Sequence, residues 1–93
     1  MGMVLLDVEF RAGRAFGIEI PRDWPAQLCG DAGTDATLAQ TLEYFLQLCK
    51  EQSIEPPADP WRVLIEVIED ASGTDARDLT PETQLVRDIA PHG

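Results

Sequence analysis

Histidine is nearly missing from this chain: His92 is the single one, next to last of 93 residues. Cysteine occurs twice, at Cys29 and Cys49, with a spacing that fits no zinc-ligand pattern. Two such thiols in a cytosolic protein are far more often packing residues than a redox pair. Basic side chains are also scarce, seven against seventeen acidic ones, for a net charge of −10. That balance argues against nucleic-acid binding, where Lys and Arg on phosphate dominate affinity. It favours solubility and partners with basic surfaces. No apolar run approaches the ~20 residues needed to span a bilayer. MGMVLLDVEF has no basic region ahead of its apolar stretch, which argues against a signal peptide. Gly2 is followed by Met3-Val4-Leu5-Leu6, without the Ser or Thr of a myristoylation site. A cytoplasmic location is the expectation. With scattered carboxylates and no phosphate-cradling glycine loop, no catalytic constellation assembles, so the protein is not expected to be an enzyme.

What is present describes one small domain over residues 1–93. At 44% hydrophobic and 26% charged, the composition is globular rather than disordered. The clearest break is SIEPPADP, residues 53–60, whose three prolines at positions 56, 57 and 60 exclude helix and favour an extended linker. Asp59 then serves as an N-cap with Pro60 at the first helical position. In WRVLIEVIEDA, Trp61, Leu64, Ile65 and Ile68 recur at helical spacing, with Val63 and Val67 widening the stripe and Gly73 placed for a C-terminal cap. Ahead of the linker, TLAQTLEYFLQLCKEQ reads as a second amphipathic helix, and Thr37 and Gln40 have capping-box spacing. The glycines of CGDAGTDA indicate a loop before it, with a short helical turn near Asp23-Trp24-Pro25-Ala26. LLDVEFRAGRAFGIEIP is ambiguous. A helical stripe of Leu5, Val8, Ala12 and Ala15 or Phe16 competes with a hairpin in which VEF and IEI flank RAGR, and the pattern alone leans slightly to the hairpin.

The C-terminal stretch SGTDARDLTPETQLVRDIAPHG resembles the first loop of acyl carrier proteins and related phosphopantetheine carrier domains. Leu79, Thr80, Pro81, Thr83, Leu85, Asp88 and Ile89 match that loop in order, and WRVLIEVIEDASG resembles the helix before it. LLDVEF is similar to the start of the family's second helix. FGIEIP is similar to the end of that helix, and TLAQTLEYF to the beginning of the last one. The order is inverted. Residues 1–52 resemble carrier helices II to IV, 53–60 form the linker, and 61–93 resemble helix I and its loop. The resemblance implies an all-α, four-helix carrier-like bundle with permuted helix order, in place of the α+β alternative with an N-terminal hairpin. An extended linker of eight residues reaches roughly 26 Å, enough to join neighbouring ends of a small bundle. The same hinge also permits a domain-swapped homodimer beside the monomer.

The family carries its 4′-phosphopantetheine arm on a serine. The positions matching it here are Gly2, Val4 or Gly93, depending on the direction of counting, and none has a hydroxyl. The two serines, Ser53 and Ser72, lie elsewhere, so no bound cofactor and no metal are expected. Acidity concentrates in residues 55–93, with nine acids and three arginines. Glu66, Glu69, Asp70, Asp75, Asp78 and Glu82 form the candidate surface for a basic protein partner; the plain alternative is a solvated helix face. The leading expectation is a non-catalytic binding or scaffold protein acting beside a fatty-acid, polyketide or peptide assembly system. A genuine carrier is the runner-up, using a hydroxyl supplied by the rearranged assembly or a thiol at Cys29 or Cys49. An acidic DNA-mimic decoy ranks third. The expected core is Leu5, Val8, Phe16, Ile18, Ile20, Leu38, Leu42, Phe45, Leu46, Leu64, Ile65, Ile68, Leu79, Leu85 and Ile89.

Overall fold

The N-terminal ambiguity resolves in favour of helix. In the computed structural model, which describes residues 3–29 and 35–89, α1 runs Met3–Phe16, α2 Trp24–Cys29, α3 Leu38–Glu51 and α4 Pro60–Ser72. A 3-10 turn at Ala76–Asp78 and a π-helical turn at Leu85–Ile89 follow, and no strand occurs among the described residues. Val4, Val8, Ala12 and Phe16, four residues apart, are all buried. That spacing lines one face of a helix; in a strand Phe10 and Arg14, two positions further on, would share the buried face, yet both are exposed. The hairpin alternative is therefore corrected: RAGR is the last stretch of α1, not a turn between strands. Gly13 lies inside the helix, where a Cβ would sit 3.2 Å from the Ile18 carbonyl oxygen, a tight contact that glycine avoids. The chain closes on itself at this point, the Ile18 N–H donating to the Gly13 carbonyl at 3.0 Å while Gly17 takes φ +71°.

The other helix limits follow local chemistry. Thr37 and Gln40 form the reciprocal capping box of α3. Asp59 caps α4 with Pro60 behind it, and Gly73 ends the helix at φ +77°. α2 extends to Cys29, further than the short turn expected around residues 23–26, and it buries Trp24. Between α3 and α4 the chain is non-helical, as its prolines require. Gln52 ties the start of this linker to the segment before α2, its side chain exchanging two hydrogen bonds with the Glu19 backbone at 2.9 and 2.8 Å.

α1 packs chiefly on α4, so the parts of the chain before and after the linker meet within this chain. Phe45 lies at the centre of the core, fully buried, with the rings of Trp24, Phe16 and Tyr44 at 5.6, 5.8 and 5.9 Å. Ten of the fifteen expected core residues are buried; Leu5, Ile20, Leu42, Leu46 and Ile65 are only partly so. Their places are taken by Val4, Ala12, Trp24, Leu48, Cys49 and Val67. On α4 the buried line runs through Leu64, Val67 and Ile68, turned away from Ile65 towards α1. Thr41 is buried as well, its hydroxyl donating to the Thr37 carbonyl at 2.9 Å.

Replacing Phe45 by Ala is expected to cost about 3–5 kcal/mol, and Ile65→Ala nearer 2 kcal/mol, because the latter leaves a smaller void. Chemical denaturation of both variants checks the order. Ser53 stands at φ 59°, a left-handed conformation that a side chain disfavours. Ser53→Gly relieves this against a larger entropy of the unfolded chain, for an expected net gain of up to about 1 kcal/mol and a higher melting temperature.

Candidate protein-binding surface

All six carboxylates singled out from the sequence are exposed. α4 carries Glu66, Glu69 and Asp70 on its outer side; the 3-10 turn, which packs against α4, adds Asp75 and Asp78, and Glu82 lies in the loop beyond. Local bonds hold several of them. The Glu69 carboxylate accepts the Ala76 N–H at 3.4 Å, tying the turn to the helix. Asp75 caps the turn by accepting the Arg77 N–H at 2.9 Å and pairs with the Arg77 guanidinium at 2.9 Å. The Arg77 bonds hold the Asp75 carboxyl below the usual carboxylate range. Glu66 faces Arg62 at 3.6 Å with both side chains largely in water, a pair of little energetic weight. Asp70 and Glu82 have no ion-pair partner among the described residues. The surface is therefore strongly negative and only partly neutralised.

The positions matching the carrier serine fall differently. Val4 is 2% exposed in the first turn of α1, so a side chain there points into the core and not towards an acceptor reaction in solvent. Gly2, Gly93 and His92 lie outside the described residues. The two thiols are poorly suited to replace the hydroxyl. Burial pushes the Cys29 thiol up, aided by the negative charge of Asp35, and burial also pushes up Cys49, which is 1% exposed. Both are held further in the protonated, weakly nucleophilic form. Among the described residues no group of His, Cys, Asp and Glu is arranged to hold a metal ion, and no helix is long and apolar enough to cross a membrane.

Sequence reasoning missed Asp35. Its carboxylate accepts three backbone N–H groups, from Ala36 at 2.7 Å, Val86 at 2.8 Å and Arg87 at 2.9 Å. Two of these lie some fifty positions away, so no local pattern marks the residue. The chain continues the contact: the Leu38 N–H donates to the Thr83 carbonyl at 2.8 Å, Ala39 to Pro81 at 3.1 Å, and Leu85 to Ala36 at 2.7 Å. The acidic loop is thereby fixed to the N-terminus of α3. Within the π-helical turn, Asp88 accepts the Gln84 N–H at 2.8 Å and pairs with Arg87 at 2.9 Å.

Partial burial alone would raise the Asp35 pKa, and nearby Asp88 adds to that, but the three N–H bonds outweigh both and lower it. A carboxyl whose pKa falls on folding stabilises the protein above its unfolded value, near 3.9, and loses that contribution as pH drops through the folded value. Asp35→Asn, which replaces a charged acceptor by a neutral one, is accordingly expected to cost about 1 kcal/mol above pH 5, with the gap to the parent narrowing below about pH 4, as thermal melts across pH 2.5–6 would record. Comparison with known protein families, curated proteins and solved structures finds no match to this chain.

Proposed function

We propose that the protein is a non-catalytic, acyl-carrier-like binding or scaffold module, with its helices in permuted order and without a phosphopantetheine arm. In this reading α1 to α3 stand for the family's second to fourth helices, and α4 with residues 73–89 for its first helix and loop. The packing of α1 on α4 supports the reading, since it joins the parts of the chain before and after the linker in one helical body. The observation that carries the functional part is the placement of six exposed carboxylates on one helix, the turn packed against it and the following loop. Net charge of this sign and density draws a basic protein surface and repels nucleic acid. Cytoplasmic biosynthetic enzymes with basic docking patches are the partner class that fits both the charge and the resemblance.

The runner-up, a loaded carrier, differs in one measurable respect. Incubation with coenzyme A and a broad-specificity phosphopantetheinyl transferase is expected to leave the intact mass unchanged; a shift by one arm would replace the proposal with the carrier reading. For the acidic surface, titration with an arginine-rich peptide is expected to move the amide resonances of residues 66–82 first. Glu69→Gln, Asp75→Asn, Asp78→Asn and Glu82→Gln combined are expected to weaken that binding by about tenfold at low salt, since exposed pairs contribute up to ~1 kcal/mol each and are not additive. An unchanged affinity would remove these residues as the recognition surface.

A further inference from the structure

The contacts that hold the fold closed run across the linker at residues 53–60. α1 packs on α4. Asp35 accepts the Val86 and Arg87 N–H groups at 2.8 and 2.9 Å, and residues 36–39 share backbone bonds with residues 81–85. Leu64, Ile68, Leu85 and Ile89 from beyond the linker enter one core with Val8 and Phe45 from before it. The linker itself is held by little. Ser53, Ile54, Glu55, Pro56, Ala58 and Asp59 are exposed. Residues 55–58 make no hydrogen bond or ion pair among the described residues.

The linker is also stiff. Proline fixes its own φ and pushes the residue before it into extended backbone, which restricts Glu55, Pro56, Pro57, Asp59 and Pro60. Such a segment favours a straight path. The change of direction out of α3 falls at Ser53, the one residue other than glycine at positive φ among the described residues, at 59°. A side chain disfavours that conformation. The Ile54 N–H, donating to the Cys49 carbonyl at 2.8 Å, holds the turn shut.

We propose that residues 53–60 are a hinge for exchange with a second copy of this chain. Ser53 straightens, and α4 with residues 73–89 leaves its own α1–α3 and docks on those of the other copy, reciprocally. The swapped dimer remakes the contacts across the linker between copies, so its balance with the closed monomer is set by the hinge, by concentration and by charge. The hinge favours exchange, because opening removes the left-handed Ser53 and lets the prolines run extended. A net charge of −10 on each copy opposes it, and salt screens that repulsion. The dimer presents two acidic surfaces to a partner with two basic patches, which goes beyond the single-surface reading above without depending on it.

The test is sedimentation velocity of the full chain from about 10 μM to about 1 mM, in low salt and in about 1 M NaCl. Monomer is expected at the low end, and a dimer that grows with concentration and with salt at the high end. Because exchange opens the shared core, the dimer is expected to form slowly, and faster in dilute urea. Isotope-filtered NMR on a mixture of labelled and unlabelled chains is expected to show α1–α4 contacts between chains in the dimer. Ser53→Gly relaxes the closed turn, and Pro56→Gly with Pro57→Gly removes the stiffness. Each variant is expected to lower the dimer association constant about fivefold or more. Ser53 and Pro56 are exposed and Pro57 half-buried, and melts verify that both variants fold. Monomer alone at the highest concentration in high salt would overturn the exchange. So would a dimer whose α1–α4 contacts stay within each chain, or one that neither hinge variant weakens. None of these outcomes bears on the acidic surface, which the arginine-rich peptide tests on the monomer.

Discussion

The structure depends on the docking of residues 79–89 against the start of α3. Backbone groups of Thr83, Pro81 and Leu85 pair with those of Leu38, Ala39 and Ala36, and the Asp35 carboxylate receives two further N–H groups from Val86 and Arg87. Helix starts have unsatisfied donors, and so do irregular turns; each left buried without a partner costs a substantial fraction of a small domain's stability. Here one end supplies what the other needs. Leu79, Leu85 and Ile89 can then enter the same core as Phe45, although the loop has little regular structure of its own.

That docking also shapes the electrostatics. With the loop pinned at the α3 end and the 3-10 turn tied to Glu69, the carboxylates of α4, the turn and the loop belong to one continuous stretch of chain instead of a floating tail. Holding like charges close together is unfavourable for an isolated domain and favourable once a basic surface approaches. On the α1 side, Arg11 and Arg14 reverse the sign locally. The molecule therefore presents an acidic field whose sign reverses locally at Arg11 and Arg14, and the acidic part underlies the proposed partner class.

Much of the fold was legible from the residues. The caps Thr37, Gln40, Asp59, Pro60 and Gly73 fulfil their expected roles, because capping is chemistry between residues one to four positions apart. Most of the central core, from Val8 to Ile89, was readable from periodicity for the same reason. α1 was harder. Gly13 lowers helix propensity, and VEF and IEI alternate like strands, so the local signal favoured a hairpin. Burial of Val4, Val8, Ala12 and Phe16 in the common core overrides that preference, as the tertiary environment commonly does for an ambiguous segment. Trp24 was passed over as core since a lone aromatic in a six-residue helix has no period to reveal it.

By itself the sequence determined the caps of α3 and α4, the proline-rich break, the excess of acid and its concentration in residues 55–93, since each follows from nearest neighbours or from simple composition. Only the tertiary structure decided that Val4 is buried, that Ile65 yields its place to Val67, that Asp35 bridges to Val86 and Arg87, and that two arginines face two carboxylates across an apolar floor. Those outcomes depend on contacts between residues some fifty positions apart. Which face of a helix meets which neighbour is settled by packing, and no spacing within a single segment encodes it.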